Sequence, residues 1–310
     1  MGSMNASQEL KNIILIGPGG SLGSTLLSSL LSEPSFTVSV LVRESSSSIK
    51  SLPSGLKVHK IGTGYPKHEL LKAFKGQDAV VSAVGGGAVL DQLKFIDASI
   101  EAGVKRFVAS EYGLNNMRPA ARALNQVFGL KADVQDYLRS KESTGLTWHV
   151  IGNGMWIDWA LQNSFLGLDY ANRTVTLYDD GNSKFSTSTM ANTALALNRS
   201  LLQPEKTKNQ AVYISDFATM QAELVDAFEK ISGEPWTRKS VHYQTALDEA
   251  NEKVKAGDPY AVYKQIEIGF ASGRYGAWLE EKEKIWNEDL GLPKQDKDDV
   301  LRKALKSVAS

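Results

Sequence analysis

A glycine-rich loop directly after a short apolar run is the feature that most constrains this chain. The run Ile13-Ile14-Leu15-Ile16 is typical of a buried strand, and helical spacing follows over 21–32. Between them the chain reads Gly17-Pro18-Gly19-Gly20-Ser21-Leu22-Gly23. Glycines permit a sharp turn, a close approach of the backbone to a phosphate and tight packing of helix on strand. The free N–H groups at the N-terminus of such a helix favour the binding of an anion. The spacing therefore predicts a dinucleotide site, and it lacks the Gly-Lys-Ser/Thr ending of an ATPase loop.

Apolar runs and helical periods alternate through the first half of the chain. Further strands are predicted over 36–42, 56–61, 78–84, 105–110 and 147–151, with helices over 67–75, 90–102 and 119–144. Strands separated by helices of this length are typical of βαβ units and a parallel sheet. We therefore expect an α/β fold with a Rossmann-type parallel sheet, helices on both faces, and a smaller C-terminal substrate domain.

The regular alternation fades after about residue 154. The dinucleotide domain is accordingly expected over 4–154, and the substrate-binding domain over 155–310, with about 186–215 rejoining the first domain. Within this second half, the pattern predicts a hairpin of strands 174–178 and 184–188, a helix over 189–202 and a strand over 211–215. The last 90 residues are mostly helical and charged in pattern.

Composition excludes several classes of function. The 35 basic and 35 acidic side chains give a formal net charge of zero, so no field of one sign attracts nucleic acid or an anionic membrane. The chain has no cysteine, which excludes disulfides and thiolate metal sites, and its four histidines lack metal-ligand spacing. No apolar stretch approaches the roughly 20 residues of a membrane span. With no export signal recognisable, we expect a cytoplasmic protein without a metal.

The end of the second predicted strand indicates the cofactor. NAD sites commonly place an acidic residue there, about 20 residues beyond the loop, to bind the ribose hydroxyls. This chain has Arg43, whose guanidinium suits a 2′-phosphate, and Ser45 and Lys50 offer further donors. NADPH is therefore the expected cofactor. The neighbouring Glu44 leaves NADH open if its carboxylate points towards the ribose.

The fourth predicted strand ends in a second run of small residues, Ala83-Val84-Gly85. In a doubly wound sheet the ligand lies beyond the carboxyl ends of the strands. We therefore expect the cofactor to pass close to this backbone.

Two lysines are candidates for the catalytic role. Short-chain dehydrogenases use Tyr-x-x-x-Lys on one helix face, and Tyr137 with Lys141 matches that pattern. That pair falls late in its predicted helix, at the end expected to lie away from the cofactor. Lys131 falls earlier on the same helix, with Val127 rather than a tyrosine four residues before it.

The segment Val104–Gly113 reads V-K-R-F-V-A-S-E-Y-G and resembles the V-K-R-F-x-P-S-E-[FY]-G signature of the isoflavone reductase-like, or NmrA-like, atypical short-chain dehydrogenases. A lysine before Ala-Asp follows about 20 residues later, as in that family. The resemblance implies an NADPH-dependent reductase of a small aromatic or conjugated metabolite, phenylpropanoid- or polyketide-like, in secondary metabolism. It also implies that Lys131 is the general acid/base or a ribose anchor.

The chain departs from the family pattern in three places, one of which is a longer loop between Lys131 and the sixth predicted strand. Ala109 replaces the proline of the signature, and Gly62-Thr63 replaces an acidic residue after the third strand. Some members of the family bind NADP as regulators without turnover, so an NADP-sensing regulatory protein is the alternative. A monomer or a homodimer is expected.

Aromatic residues follow the sixth predicted strand, where the family builds its substrate pocket. Flat apolar side chains suit an aromatic ligand. The expected pocket residues are Met155, Trp156, Trp159 and Phe165. The same side chains would alternatively form a hydrophobic hinge between domains.

Overall fold

The computed structural model describes residues 9–308. Its strands are β1 (Asn12–Ile16), β2 (Thr37–Arg43), β3 (Lys57–Ile61), β4 (Ala79–Ser82), β5 (Arg106–Val108), β6 (Thr147–Gly152), β7 (Met155–Trp156), β8 (Leu168–Asp169), β9 (Thr174–Tyr178), β10 (Phe185–Ser188), β11 (Gln210–Tyr213), β12 (Phe217–Thr219) and β13 (Thr237–Val241). Its α-helices are α1 (Ser21–Ser32), α2 (Lys67–Phe74), α3 (Asp91–Glu101), α4 (Pro119–Leu124), α5 (Gln126–Ser140), α6 (Ile157–Gln162), α7 (Met190–Leu202), α8 (Pro204–Thr207), α9 (Gln221–Ser232), α10 (Tyr243–Lys255), α11 (Ala261–Ala271), α12 (Leu279–Lys282) and α13 (Lys297–Val308).

The chain divides into two compact units that do not follow one another along the sequence. The first comprises residues up to Glu111 together with Leu130–Ile151 and Thr193–Val212. The second comprises Tyr112–Gly129, Gly152–Asn192 and the chain from Tyr213 onward. Residues 112–129, which the sequence pattern assigned to the dinucleotide domain, thus pack with the second unit.

The first unit contains a seven-stranded sheet in the order β3-β2-β1-β4-β5-β6-β11. Pairing is parallel from β3 through to β6. All four residues of β4 and the last four of β1 are buried, because a parallel sheet is covered on both faces. The expected Rossmann-type α/β fold is confirmed. The strand order reverses between β1 and β4, the position where such sheets bind ligands.

The second unit has two three-stranded sheets, β12-β10-β7 and β13-β9-β8. The predicted hairpin is wrong, because β9 and β10 pair in different sheets. The turn between them does form, with Asp179 and Gly181 at positive φ. Each strand nevertheless pairs with segments distant in sequence.

The helix predicted over 119–144 is interrupted at Asn125, where α4 ends. The backbone of Asn125 is extended, with φ −156° and ψ 166°. The side-chain oxygen of Asn125 accepts a hydrogen bond from the N–H of Phe128 at 3.0 Å. Asparagine favours this capping role over a helix interior. The break starts α5, the helix that carries Lys131.

No helix in the described range 9–308 has the combination of length and apolar character that crossing a bilayer requires.

Candidate dinucleotide site and its lysine

The loop between β1 and α1 requires glycine at two positions. Gly17 has φ +81°, and a Cβ there would lie 2.7 Å from the carbonyl oxygen of Ala83. A Cβ on Gly23 would lie 2.0 Å from the carbonyl oxygen of Gly17. A Cβ on Gly20, in contrast, would meet nothing within 4 Å. Gly17 and Gly23 thus allow the turn, whereas the position of Gly20 faces open space.

A cavity of about 340 Å³ lies at the carboxyl ends of β1, β2 and β4. Its lining residues are Ile16, Gly17, Pro18, Gly19, Gly20, Leu41, Val42, Arg43, Ser46, Ser47, Tyr65, Ala83, Val84, Gly85 and Ala88. None of these described residues is acidic, and the first turn of α1 is also free of acidic residues. The donors at the helix start and the arginine therefore fit a phosphorylated dinucleotide.

Most of the residues predicted to bind the cofactor meet at this cavity. The two glycine runs and Arg43 line it, and Ser21 and Leu22 begin α1 directly after the lining loop. Ser45 is exposed and lies outside the lining, where Ser46 and Ser47 lie instead. The side chain of Lys50 lies outside the described part of the structure.

Lys131 is held at the carboxyl end of β5. Its Nζ donates a hydrogen bond to the backbone carbonyl of Glu111 at 2.5 Å. The preceding residue, Ser110, donates from its hydroxyl to the carbonyl of Val84 at 2.9 Å, and Val84 lines the cavity. Lys131 is not itself among the residues that line the cavity; its amine binds the residue that follows Ser110, and Ser110 contacts the lining residue Val84.

The environment of Lys131 also alters its protonation. Burial lowers the pKa of the Lys131 amine, and the negative charge of Glu111 partly opposes that shift. Burial disfavours the charged form of a lysine, so the amine releases a proton more readily than an exposed one.

Tyr137 and Lys141 do form a contact, but outside the cavity lining. The Tyr137 hydroxyl donates to the carboxylate of Asp97 at 2.7 Å, and Lys141 Nζ lies 4.6 Å from the centre of the tyrosine ring. Asp97 is on α3, so this group links α3 to α5.

The signature arginine, Arg106, is buried in a polar network within the first unit. Its guanidinium donates to Thr147 Oγ1 at 2.8 Å, to His149 Nδ1 at 3.0 Å and to the carbonyl of Pro204 at 2.6 Å. His149 Nε2 lies 2.9 Å from the Ser200 hydroxyl. His149 is completely buried in this network.

The four predicted substrate residues have unequal surroundings in the second unit. Met155 and Phe165 belong to its buried hydrophobic cluster, and Trp159 packs against that cluster with its ring centre 5.4 Å from that of Phe165. Trp156, half-buried like Trp159, is not among the residues of that cluster or packed against it, and its ring centre lies 6.2 Å from that of Tyr112. Tyr112, in the V-K-R-F signature segment, was not among the predicted pocket residues. A pocket role for the four stays a prediction.

Parallel strands in this order, with a glycine loop and a cavity where the order reverses, define a Rossmann-fold dinucleotide-binding protein. The chain belongs to the NmrA-like family, whose model matches residues 9–267. This confirms the family expected from the V-K-R-F signature and the glycine loop.

Several relatives resemble the chain over most of its length. It is 34% identical to oxidoreductase aprR of Aspergillus flavus, covering 95% of this chain and 98% of the relative. It is 29% identical to the phenylcoumaran benzylic ether reductase Pyrc5 of Pyrus communis, covering 77% and 80%. These relatives place the chain among the oxidoreductases of its family.

Solved structures show the same fold. An isoflavone reductase matches with a TM-score of 0.77 at 23% identity, covering 95% of this chain and 99% of that one. A structure described as AtPrR2 with NADP+ and (+)pinoresinol matches with a TM-score of 0.76 at 22% identity, covering 96% and 100%.

Proposed function

We propose that this protein is an NADPH-dependent reductase of a small aromatic or conjugated metabolite, phenylpropanoid- or polyketide-like, with Lys131 as its general acid/base. The observation that carries the proposal is the position of the Lys131 amine. It is hydrogen-bonded to the carbonyl of Glu111, just beyond the end of β5. The preceding residue, Ser110, donates a hydrogen bond to Val84 in the cavity wall.

The cavity supports NADPH as the cofactor. The open backbone at Gly20 and the N–H groups at the start of α1 suit the pyrophosphate. Arg43, at the end of β2, suits a 2′-phosphate, and the structure gives Glu44 no place in the lining. Related structures described with NADP+ agree with this choice. Bound NADPH supplies a hydride to the acceptor.

Lys131 suits the proton transfer that accompanies reduction. An acceptor that gains a hydride acquires negative charge on an oxygen or a neighbouring carbon, and a protonated amine neutralises it by giving up one proton. The lowered pKa of Lys131 assists that donation. The amine then regains a proton from water before the next turnover.

The proposed substrate class rests on the relatives and on one half-buried aromatic side chain. The relatives include benzylic ether reductases, and a similar structure is described with pinoresinol. Trp156 offers a flat apolar surface beside Tyr112. Of the four predicted substrate residues, we propose Trp156 as the one that contacts the acceptor.

The test is turnover with deuterium-labelled NADPH and a panel of conjugated ketones, quinones and benzylic ethers. Transfer of deuterium to a carbon of one acceptor supports the proposal. Tight binding of NADPH with no turnover across the panel would favour the regulatory alternative. An absence of NADPH binding would contradict both.

A further inference from the structure

Tyr65 lies in the cavity wall, although nothing in the sequence pattern pointed to it. It follows β3 in the segment Gly62-Thr63-Gly64-Tyr65, where the family pattern has an acidic residue. Its side chain is half-buried and lines the same cavity as Arg43. Two residues after the position that departs from the family pattern, the chain therefore places an aromatic ring at the dinucleotide site.

The backbone of Tyr65 is held in a costly conformation. Its φ is +59° and follows φ +81° at Gly64, so two consecutive residues are left-handed. A bulky side chain rarely adopts this region. Two side chains fix the turn: Glu69 accepts from the N–H of Gly62 at 2.8 Å, and Lys94 donates to the carbonyl of Gly64 at 3.0 Å. Such a conformation persists only where the surrounding structure enforces it, and residues of this kind are enriched at ligand sites.

The ring of Tyr65 has a fixed orientation. It packs edge-on against Phe95, with ring centres 4.8 Å apart and an interplanar angle of 83°. Phe95 is fully buried on α3, so it provides a rigid support. A ring positioned in this way loses little conformational freedom when a ligand binds to it.

The position of Tyr65 assigns it to one half of the dinucleotide. In Rossmann folds the residue at the end of β2 binds the adenosine ribose, and here that residue is Arg43. Because β3 is the neighbour of β2, the turn carrying Tyr65 lies at the adenosine end of the cavity. The nicotinamide half would extend the other way, towards β4 and β5.

We propose that Tyr65 recognises the adenine base, with its ring against the face of the base. This inference rests on the proposed NADPH function and adds a residue that determines affinity for the adenosine half. Stacking of an aromatic side chain on a base contributes enough that losing it weakens binding about 5- to 100-fold.

Two variants separate the ring from the backbone and from the hydroxyl. Tyr65→Asn removes the ring but keeps a residue that tolerates positive φ, so the turn should survive. Tyr65→Phe keeps the ring and removes only the hydroxyl. The matched control is Tyr260→Asn, since Tyr260 is exposed and belongs to the second unit.

Calorimetry should measure Kd for NADPH, for adenosine 2′,5′-bisphosphate and for reduced nicotinamide mononucleotide. Tyr65→Asn should weaken the first two by the same factor, about 5- to 100-fold, and leave the mononucleotide unchanged, whereas Tyr65→Phe and the control should bind like wild type.

Unchanged binding of the bisphosphate by Tyr65→Asn would overturn the inference while leaving the NADPH proposal standing. An equal loss in Tyr65→Phe would overturn it as well, because the hydroxyl would then carry the contact. Failure of the wild-type protein to bind either adenosine ligand would instead refute the proposed function itself.

Discussion

The amine of Lys131 donates a hydrogen bond at 2.5 Å to the carbonyl oxygen of Glu111, a residue 20 positions earlier in the chain. The same Glu111 bears the charge that raises the pKa of Lys131 against the lowering effect of burial. One residue thus positions the amine through its backbone and adjusts the protonation of that amine through its side chain.

This relationship predicts the pH dependence of turnover. If protonated Lys131 is the acid, kcat falls as pH rises through its pKa, which burial places below the ordinary 10.5. Glu111→Gln removes the opposing charge, lowers the pKa further and should move the falling limb to lower pH. The control is Glu101→Gln on the surface of α3. A pH–rate profile that is flat, or one that shifts upward in Glu111→Gln, would contradict the acid role.

Replacing Lys131 should separate it from the other candidate pair. Lys131→Ala should lower kcat by about 10²–10⁴, the range for a positioned acid/base group. Tyr137→Phe and Lys141→Ala should leave kcat nearly unchanged, because both residues interact with Asp97 on α3. Steady-state kinetics on the three variants checks this. Loss of turnover in Tyr137→Phe with a silent Lys131→Ala would reverse the assignment.

Arg43 should decide the choice between the two cofactors. A charge-assisted hydrogen bond contributes about 1.5–3 kcal/mol, so Arg43→Ala should weaken NADPH roughly 10- to 100-fold and leave NADH nearly unchanged. Binding of each cofactor is measured by titration, with exposed Arg199→Ala as the control. Equal losses for both cofactors, or tighter binding of NADH by the wild-type protein, would disprove the role.

The two tryptophans of the second unit should respond differently to truncation. Trp156 is half-buried beside Tyr112, so Trp156→Ala should raise KM or change acceptor preference at a nearly constant melting temperature. Trp159 packs on the core cluster with Phe165, so Trp159→Ala should lower the melting temperature. A large fall in melting temperature for Trp156→Ala without a selective kinetic effect would contradict the proposed pocket role.

Stability at acid pH should depend on His149. Burial and the neighbouring Arg106 hold the pKa of His149 well below its ordinary 6.5. The contribution of neutral His149 to the free energy of unfolding is therefore complete above about pH 6.5. It is lost as pH falls below that value, because only the unfolded chain then takes up the proton. The loss approaches about 1.4 kcal/mol per pH unit until the folded pKa is reached.

Urea unfolding at pH 7.5 and pH 5.5 measures this effect. His149→Gln should show a smaller difference in unfolding free energy between the two pH values than wild type. His242→Gln, at an exposed histidine, should behave like wild type. An unchanged difference in His149→Gln would assign the acid sensitivity to other groups.

The sequence by itself determined the features that depend on neighbouring residues. The apolar run, the glycines and the helical spacing that follows specify β1, the loop and α1, because these contacts form within about 20 residues. The position of Arg43 follows from the same short unit. The alternation of strands and helices was sufficient to predict a parallel sheet, since right-handed βαβ connections leave few other arrangements.

Only the tertiary structure decided the features that depend on distant residues. A well-formed turn joins residues 174–178 to residues 185–188. The two strands nevertheless pair with distant segments of the chain, in two separate sheets. The role of Tyr65 requires Phe95 and the cavity together, and the contact of Lys131 with Glu111 spans two elements. Local pattern encodes which face of an element is apolar, but the pairing of elements is chosen by packing across the whole fold. That choice cannot be obtained from periodicity alone.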